Sequence, residues 1–305
     1  MPPPTDVENP VEGPGDYVVT CDVHSDTYPY IDPTKRDFTG KVIFIAGGSR
    51  GLGRAAALSF AKAGASCIAV GARSDLTQVG LDIRAAALSA NRPEPEFLPL
   101  SLDVREQNSV EAAAAKVEEA FGFCDVVINY AGIASIPGKI ADTDPAEWWD
   151  IFQVNLFGAY LISRSFLPLL AKGGDARYLI LLGSVSAHFI LPGVSPYQIA
   201  KLAVIRLAES ANSEYAEQGI TCISIHPGNV FTDLVRGIFD KMPSEIKHVF
   251  TESHELGADA LTFLTSESRP WLGGRYVSLI WDMQELVMNE EEIVEKEKLF
   301  FRMQY

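Results

Sequence analysis

A tyrosine and a lysine with three residues between them form a candidate pair for acid–base chemistry in this chain. Tyr197 and Lys201 open a predicted helix, in the run Tyr-Gln-Ile-Ala-Lys. Positions i and i+4 share one helical face, so the phenol and the ammonium can approach each other. A nearby cation lowers the pKa of a tyrosine, which can then exchange a proton with an alcohol oxygen near neutral pH. The competing interpretation of this common spacing is a core tyrosine beside a solvent-exposed lysine.

A serine and an asparagine elsewhere in the sequence fit the same chemistry. Ser184 ends a predicted strand shortly before Tyr197, where its hydroxyl can hydrogen-bond the reacting oxygen. Asn155 lies among apolar residues in a predicted long helix, so its amide requires a partner. We expect Asn155 to hold a water molecule beside Lys201.

A glycine-rich turn provides a candidate nucleotide site. Residues 42–58 predict an apolar strand, a tight turn and an alanine-rich helix. Gly47 permits a sharp exit from the strand, and Gly51 and Gly53 remove Cβ atoms where a pyrophosphate and the packed helix approach the backbone. The helix N-terminus offers N–H groups to that anion. The spacing is G-x-x-x-G-x-G rather than G-x-G-x-x-G, so the turn alone is a weak indication.

Two arginines near this turn indicate which dinucleotide it would take. In NAD-binding proteins an acidic residue after the second strand accepts hydrogen bonds from the ribose. Here Ala72 occupies that place and Arg73 follows it, while Arg50 lies inside the turn. Two guanidiniums near one ribose suit a 2′-phosphate. The competing interpretation is that both are ordinary surface arginines, but the missing acidic residue favours an NADP(H) site.

Residues at the ends of the next two strands extend the candidate cofactor site. Asp103 can accept from the adenine amine or simply cap a helix. The run 129–132 closes the fourth strand, where small residues let the backbone lie under the cofactor or merely form a turn. The further candidates for cofactor contact are Ser49, Leu52, Ser74, Val104, Asn129, Ala131 and Gly132.

Strands and helices alternate from Lys41 onward, which predicts one doubly wound Rossmann-type α/β domain. About seven parallel strands would be flanked by helices on both faces, with ligands at the carboxyl ends of the strands. The predicted strands are Val42–Ala46, Cys67–Ala72, Glu96–Leu100, Val126–Asn129, Tyr178–Leu182, Thr221–His226 and Tyr276–Leu279, and the predicted helices include Ser109–Phe121, Ala146–Leu170 and Pro196–Gln218. We expect an irregular extension over 1–38, the domain over 39–287, and a surface helix and tail over 288–305, with the helix around Glu290–Phe301.

Composition excludes several other classes of protein. The formal charge of −15 argues against nucleic-acid or anionic-membrane surfaces, which reward clustered Lys and Arg. Four scattered cysteines and five scattered histidines show neither a C-x-x-C pair nor metal-ligand spacing, so we expect a reducing compartment and no metal. The sequence carries neither a signal-peptide pattern nor a membrane-length apolar run, which predicts a cytoplasmic protein.

Together these motifs resemble the short-chain dehydrogenase/reductase family over roughly Asp37 to Asp282. The resemblance implies a catalytic tetrad of Asn155, Ser184, Tyr197 and Lys201. It also implies a nicotinamide-binding turn with Pro227, Gly228, Val230 and Thr232, and Arg50 and Arg73 match the basic places of NADP(H)-preferring members. Ala46 departs from the family's usual Thr, and Tyr130 from its Asn. The proline-rich extension and the ending over 275–282 are similar to fungal members that tailor secondary metabolites. The predicted helices over 146–170 and 196–218 resemble the family's dimer interface, which implies a homodimer or homotetramer.

The expected reaction is hydride transfer between NADPH and the carbonyl or secondary alcohol of a fairly apolar small molecule. The segment over 231–248 has helical apolar spacing and forms either a mobile lid or part of the core. The residues expected to line the substrate pocket are Ser186, His188, Phe189, Val194 and Phe231. Two alternatives stay open: non-redox chemistry on the same scaffold, such as a cyclase or dehydratase, and a retired enzyme that serves as a binding module.

Overall fold

A parallel sheet of seven strands runs through the computed structural model, which describes residues 19–242 and 244–303. The spatial order is β3-β2-β1-β4-β5-β6-β7. The strands are β1 (Val42–Ala46), β2 (Cys67–Ala72), β3 (Glu96–Ser101), β4 (Val126–Asn129), β5 (Arg177–Leu182), β6 (Ile220–His226) and β7 (Tyr276–Ser278). The order reverses between β1 and β4, and open sheets of this kind bind ligands outside the carboxyl ends of the strands at such a point. The predicted Rossmann-type fold is confirmed.

Helices cover both faces of the sheet and bury two apolar layers. They are α1 (Gly51–Lys62), α2 (Thr77–Ser89), α3 (Gln107–Phe121), α4 (Pro145–Phe152), α5 (Gly158–Leu170), α6 (Ser195–Tyr215), α7 (Asp233–Arg236), α8 (His254–Thr265), α9 (Met283–Met288) and α10 (Glu290–Glu295). One layer joins α1, α2 and α8 to the sheet through residues such as Phe60, Ile83 and Leu261. The other joins α3, α5 and α6 through Val117, Phe166 and Val204. Burial on both faces explains why the central strands are nearly continuous apolar runs.

The predicted helix over 146–170 is not continuous. A π-helical turn over Gln153–Phe157 separates α4 from α5, and Asn155 lies in its middle. The Asn155 side chain donates through Nδ2 to the carbonyl oxygens of Ile151, at 3.0 Å, and Ile133, at 2.9 Å. Side-chain hydrogen bonds to the helical backbone compete with the regular helical hydrogen bonds, and π-helical turns are frequent at functional sites.

The chain before β1 packs against the domain over the residues that the structure describes. Ile31 is fully buried, and Val23 pairs with Trp281 in an antiparallel bridge. The Tyr28 hydroxyl accepts a 2.7 Å hydrogen bond from the Met283 amide. The first 18 residues of the predicted extension lie outside the described residues.

The C-terminal helix is shorter than predicted. It ends at Glu295 rather than near Phe301, because Glu297 and Leu299 adopt left-handed backbone angles (φ +48° and +67°) that a helix cannot continue. The Leu299 carbonyl then accepts a 2.9 Å hydrogen bond from the Tyr276 amide at the start of β7. The segment after α10 therefore lies along the edge of the sheet.

Candidate active site

Ser184, Tyr197 and Lys201 come together at the carboxyl edge of the sheet. Ser184 follows β5, and Tyr197 and Lys201 lie in the first turns of α6. The Ser184 and Tyr197 side chains share a hydrogen bond. The Lys201 Nζ lies 5.5 Å from the centre of the Tyr197 ring and donates a 2.8 Å hydrogen bond to the Leu182 carbonyl oxygen. An ammonium has three N–H donors, so Lys201 retains donor capacity after this bond.

The electrostatics of the pair differ from the sequence-based expectation. Burial lowers the pKa of Lys201 to about 7. Burial also raises the pKa of Tyr197, and the hydrogen bond with Ser184 opposes that rise without cancelling it. The expectation that Lys201 lowers the tyrosine pKa is therefore wrong for the chain by itself. The physical reason is that removal from water disfavours both charged forms, the ammonium and the phenolate.

The loop after Ser184 is fixed by a residue that the sequence reasoning missed. Gln198 is buried, and its amide nitrogen, Nε2, donates to the carbonyl oxygens of Ser186, at 3.0 Å, and Phe189, at 2.7 Å. Its Oε1 accepts from the Leu191 amide at 3.2 Å. Ser186 in turn donates through both its amide and its hydroxyl to Ser184 Oγ. The available signal was a glutamine directly after the candidate tyrosine, inside an otherwise apolar stretch of helix.

Asn155 connects the π-helical turn to the loop after β4. Besides its Nδ2 bonds, its Oδ1 accepts from the Ile133 amide at 3.3 Å. A Cβ atom added to Gly132 would lie 2.9 Å from Asn155 Oδ1 and 3.8 Å from Lys201 Nζ. Gly132 therefore lies between these two side chains, and Asn155 Oδ1 keeps a second lone pair for a further donor.

The glycine turn is shaped by close backbone packing. Gly47 has φ +80°, and a Cβ atom there would lie 2.7 Å from the Ala131 amide nitrogen. A Cβ atom on Gly53 would lie within 3.0 Å of the Gly47 backbone. Among the described residues, no side chain caps the N-terminus of α1. Its first N–H groups are thus available to an anion such as a pyrophosphate.

The segment after β6 faces the glycine turn. Gly228 has φ +95°, and Val230 pairs with Glu252. Thr232 caps α7 through a 3.5 Å hydrogen bond that its Oγ1 accepts from the Val235 amide. The Thr232 methyl lies 3.9 Å from the place of a Cβ atom on Gly51. The structure therefore brings the two candidate cofactor-binding turns against each other.

Two of the charged candidates around this site, Arg50 and Asp103, already have ionic partners. Arg50 pairs with Asp233 at 3.3 Å. The Arg105 guanidinium lies 2.7 Å from Asp103, and its hydrogen bonds, with a smaller contribution from exposed Arg73, hold the pKa of the Asp103 carboxyl below its usual range. Val104 is buried against Gly158, Asn129 Oδ1 accepts from the Ala131 amide, Ser49 and Leu52 are half-buried, and Ser74 is exposed.

The predicted substrate residues divide into two groups. The His188 ring packs edge-on against Tyr276, at 4.3 Å between ring centres, and near Phe301, and burial lowers the pKa of His188 to about 4. It therefore contacts the C-terminal segment. Phe231 contacts Phe239 at 5.0 Å on the other side of the site. Ser186, Phe189 and Val194 are half-buried in the stretch between β5 and α6.

The segment over 231–248 is short and irregular rather than one apolar helix. Its described residues, which leave out residue 243, form α7 and 3-10 turns over Phe239–Lys241 and Ser244–Val249. Of its predicted apolar stripe, Val235 is buried, whereas Phe231 is 37% exposed.

Comparisons with known proteins agree with this architecture. Residues 41–243 match the family model for short chain dehydrogenase. The "short chain dehydrogenase pigC" of Monascus ruber is 50% identical over 98% of both chains. A short-chain type dehydrogenase/reductase from Mycobacterium marinum superposes with a TM-score of 0.70 at 26% identity, over 82% of this chain and 97% of that one. Carveol dehydrogenase from Mycobacterium avium, solved in complex with NAD, has the same fold, with a TM-score of 0.68 at 21% identity over 78% and 95% of the two chains.

The chain belongs to the short-chain dehydrogenase/reductase family of oxidoreductases, which use nicotinamide cofactors and act on small molecules. In the described part of the chain, no helix has the length and apolar character needed to cross a membrane.

Proposed function

We propose that this chain is an NADPH-dependent reductase or dehydrogenase that acts on the carbonyl or secondary alcohol of a fairly apolar small molecule. The observation that carries the proposal is the cluster of Ser184, Tyr197 and Lys201 beside the glycine turn. A buried ammonium costs folding free energy, so the fold alone does not account for a buried lysine beside a tyrosine ring. Retention of this pair therefore argues for an enzyme rather than a retired binding module.

Tyr197 is the general acid in the reductive direction. Its raised pKa keeps the phenol protonated near neutral pH, which suits proton donation to a carbonyl oxygen. Ser184, already hydrogen-bonded to Tyr197, would bind the same oxygen and polarise it. Lys201 would hold the ribose hydroxyls of the cofactor, and Asn155 Oδ1 would anchor a water molecule through which the proton is replaced.

The residues present fit a dinucleotide. The uncapped N-terminus of α1 suits the pyrophosphate, and Thr232 and the backbone over 227–230 would meet the carboxamide of the nicotinamide. The nicotinamide, when bound, supplies or accepts the hydride. Arg50 and Arg73, with Ala72 in place of an acidic residue, support a 2′-phosphate on the ribose. Asp103 would accept a hydrogen bond from the adenine amine while its carboxylate also accepts from Arg105.

The remaining parts of the proposal concern substrate and assembly. Phe189, Val194 and Phe231 would form an apolar pocket, with the segment over 231–248 as its lid. Exposed apolar side chains on the outer helices, namely Trp149, Phe157, Tyr160 and Ile199, support a homodimer or homotetramer. We place the protein in the cytoplasm, in keeping with its four free cysteines.

The direct test is the Tyr197→Phe variant, assayed for NADPH consumption with a panel of apolar ketones. Turnover should fall by at least about a thousandfold, because the acid is lost, while NADPH binding stays within about twofold. Tyr215→Phe, at the far end of the same helix, is the matched control. Retained turnover in Tyr197→Phe contradicts the assignment. Product formation by the wild type without net NADPH consumption would favour the cyclase or dehydratase alternative.

A further inference from the structure

An ion pair joins the glycine turn to the helix that follows Thr232. Arg50 Nη1 lies 3.3 Å from one carboxylate oxygen of Asp233, and Arg236 Nη1 lies 2.8 Å from the other. The side chains of Arg50 and Asp233 are 73% and 40% exposed, so solvent screens this contact. Asp233 is thus the acidic group placed against the arginine that we assign to the 2′-phosphate.

Asp233 must oppose phosphate binding whichever way Arg50 responds. If the guanidinium turns toward a 2′-phosphate, its contact with Asp233 is lost. If the guanidinium keeps both partners, a carboxylate lies close to a phosphate of the same sign, and like charges at such separations repel. NADH carries a hydroxyl at this place, so it neither needs Arg50 nor meets this repulsion.

We propose that Asp233 competes with the 2′-phosphate of NADPH for Arg50 and thereby sets how strongly the chain prefers NADPH to NADH. This inference rests on the proposed NADPH dependence. Asp233 is a positioning residue, since it acts through Arg50. Binding reciprocity adds a second consequence: a ligand whose affinity is reduced by the Arg50–Asp233 contact must weaken that contact to the same degree. NADPH therefore loosens the tie between the glycine turn and α7, whereas NADH does not.

The test measures dissociation constants for NADPH and NADH in wild type and in Asp233→Asn. The variant should bind NADPH roughly three- to tenfold more tightly at low salt, while NADH binding changes by less than about twofold. Asp240→Asn is the matched control, because it removes the same charge from an exposed position in the same segment. The gain in NADPH affinity should shrink at high salt.

A double-mutant cycle separates competition for Arg50 from a general effect of charge. In an Arg50→Gln background, Asp233→Asn should alter NADPH binding by less than about twofold. An effect of full size in that background overturns the competition, and so does a wild type that prefers NADPH but is unaffected or weakened by Asp233→Asn. Equal wild-type constants for the two cofactors contradict the NADPH assignment itself, and this inference falls with it.

Discussion

The two ends of the candidate cofactor site are built in different ways. At the catalytic end, Lys201 is 1% exposed and Ser184 is 8% exposed, and both are held by hydrogen bonds to neighbouring backbone or side chains. At the ribose end, the Arg50 side chain is 73% exposed and pairs with a surface carboxylate. The first end is fixed by the packing of the fold, whereas the second is a set of charges that can exchange partners. Substitutions should therefore have large effects at the first end and small, salt-dependent effects at the second.

Apart from Tyr197→Phe, the largest effect on activity should come from Lys201→Met, which keeps the apolar stem and removes the ammonium. We expect kcat/KM for NADPH-dependent reduction to fall by about 10²-fold or more, because the ribose that Lys201 is proposed to hold would no longer position the nicotinamide. Lys62→Met, in the last turn of α1, serves as the control in the same steady-state assay. A loss of less than about tenfold would mean that the buried end is not the catalytic one.

Gly47→Ala should lower the free energy of unfolding rather than the rate of the chemical step. The added methyl group would meet the backbone of Ala131 at 2.7 Å, and φ is +80°. Left-handed backbone alone costs about 1–2 kcal/mol, and the clash adds to it. The free energy of unfolding, measured by urea denaturation, should thus fall by at least about 2 kcal/mol in Gly47→Ala. Gly40→Ala has the same φ of +80° with nothing within 4 Å, so it isolates the backbone cost from the clash.

His226, the buried last residue of β6, should make the free energy of unfolding fall in acid. Burial, with a smaller effect of nearby His188, lowers the pKa of His226 to about 3. The unfolded chain, with a pKa near 6.5, then binds more protons, so this contribution to stability is complete above pH 6.5 and is lost as the pH falls toward 3. The loss is about 2 kcal/mol at pH 5.

The measurement for His226 is urea unfolding at pH 7.5 and pH 5. The difference between the two unfolding free energies should be about 2 kcal/mol smaller in His226→Gln than in wild type. His248→Gln, at an exposed position, should keep the wild-type difference. An unchanged difference in His226→Gln would mean that the histidine is not held neutral.

The smallest effects belong to the exposed arginines. Arg50→Gln and Arg73→Gln should each raise the dissociation constant for NADPH about tenfold and leave NADH binding nearly unchanged, because each removes one charged partner of the phosphate. Isothermal titration at two salt concentrations measures both constants. A loss of NADH affinity equal to the loss for NADPH would show that these side chains shape the turn instead of reading the phosphate.

Much of the fold follows from local sequence patterns. The boundaries of β1, β2 and β4 agree with the predicted ones, because each strand is an apolar run that ends in a glycine, serine or asparagine turn. The co-location of Ser184, Tyr197 and Lys201 was also predictable, since it requires only the parallel sheet and the i, i+4 spacing.

Features that depend on distant contacts were not predictable in this way. The π-helical turn depends on the bonds of Asn155 to Ile133, in a loop that periodicity does not place. The pKa of Tyr197 depends on burial, which a motif does not specify. The Arg50–Asp233 pair joins turns that are far apart in the chain and that meet only after the sheet has formed.

The most direct test of the account is a fluorescence titration of the wild-type protein with NADPH and, separately, with NADH. The account predicts a dissociation constant for NADPH at least about tenfold below that for NADH, as expected for charged recognition of one phosphate. Equal constants would contradict the role given to Arg50 and Arg73. No binding of either cofactor would contradict the proposed enzyme as a whole.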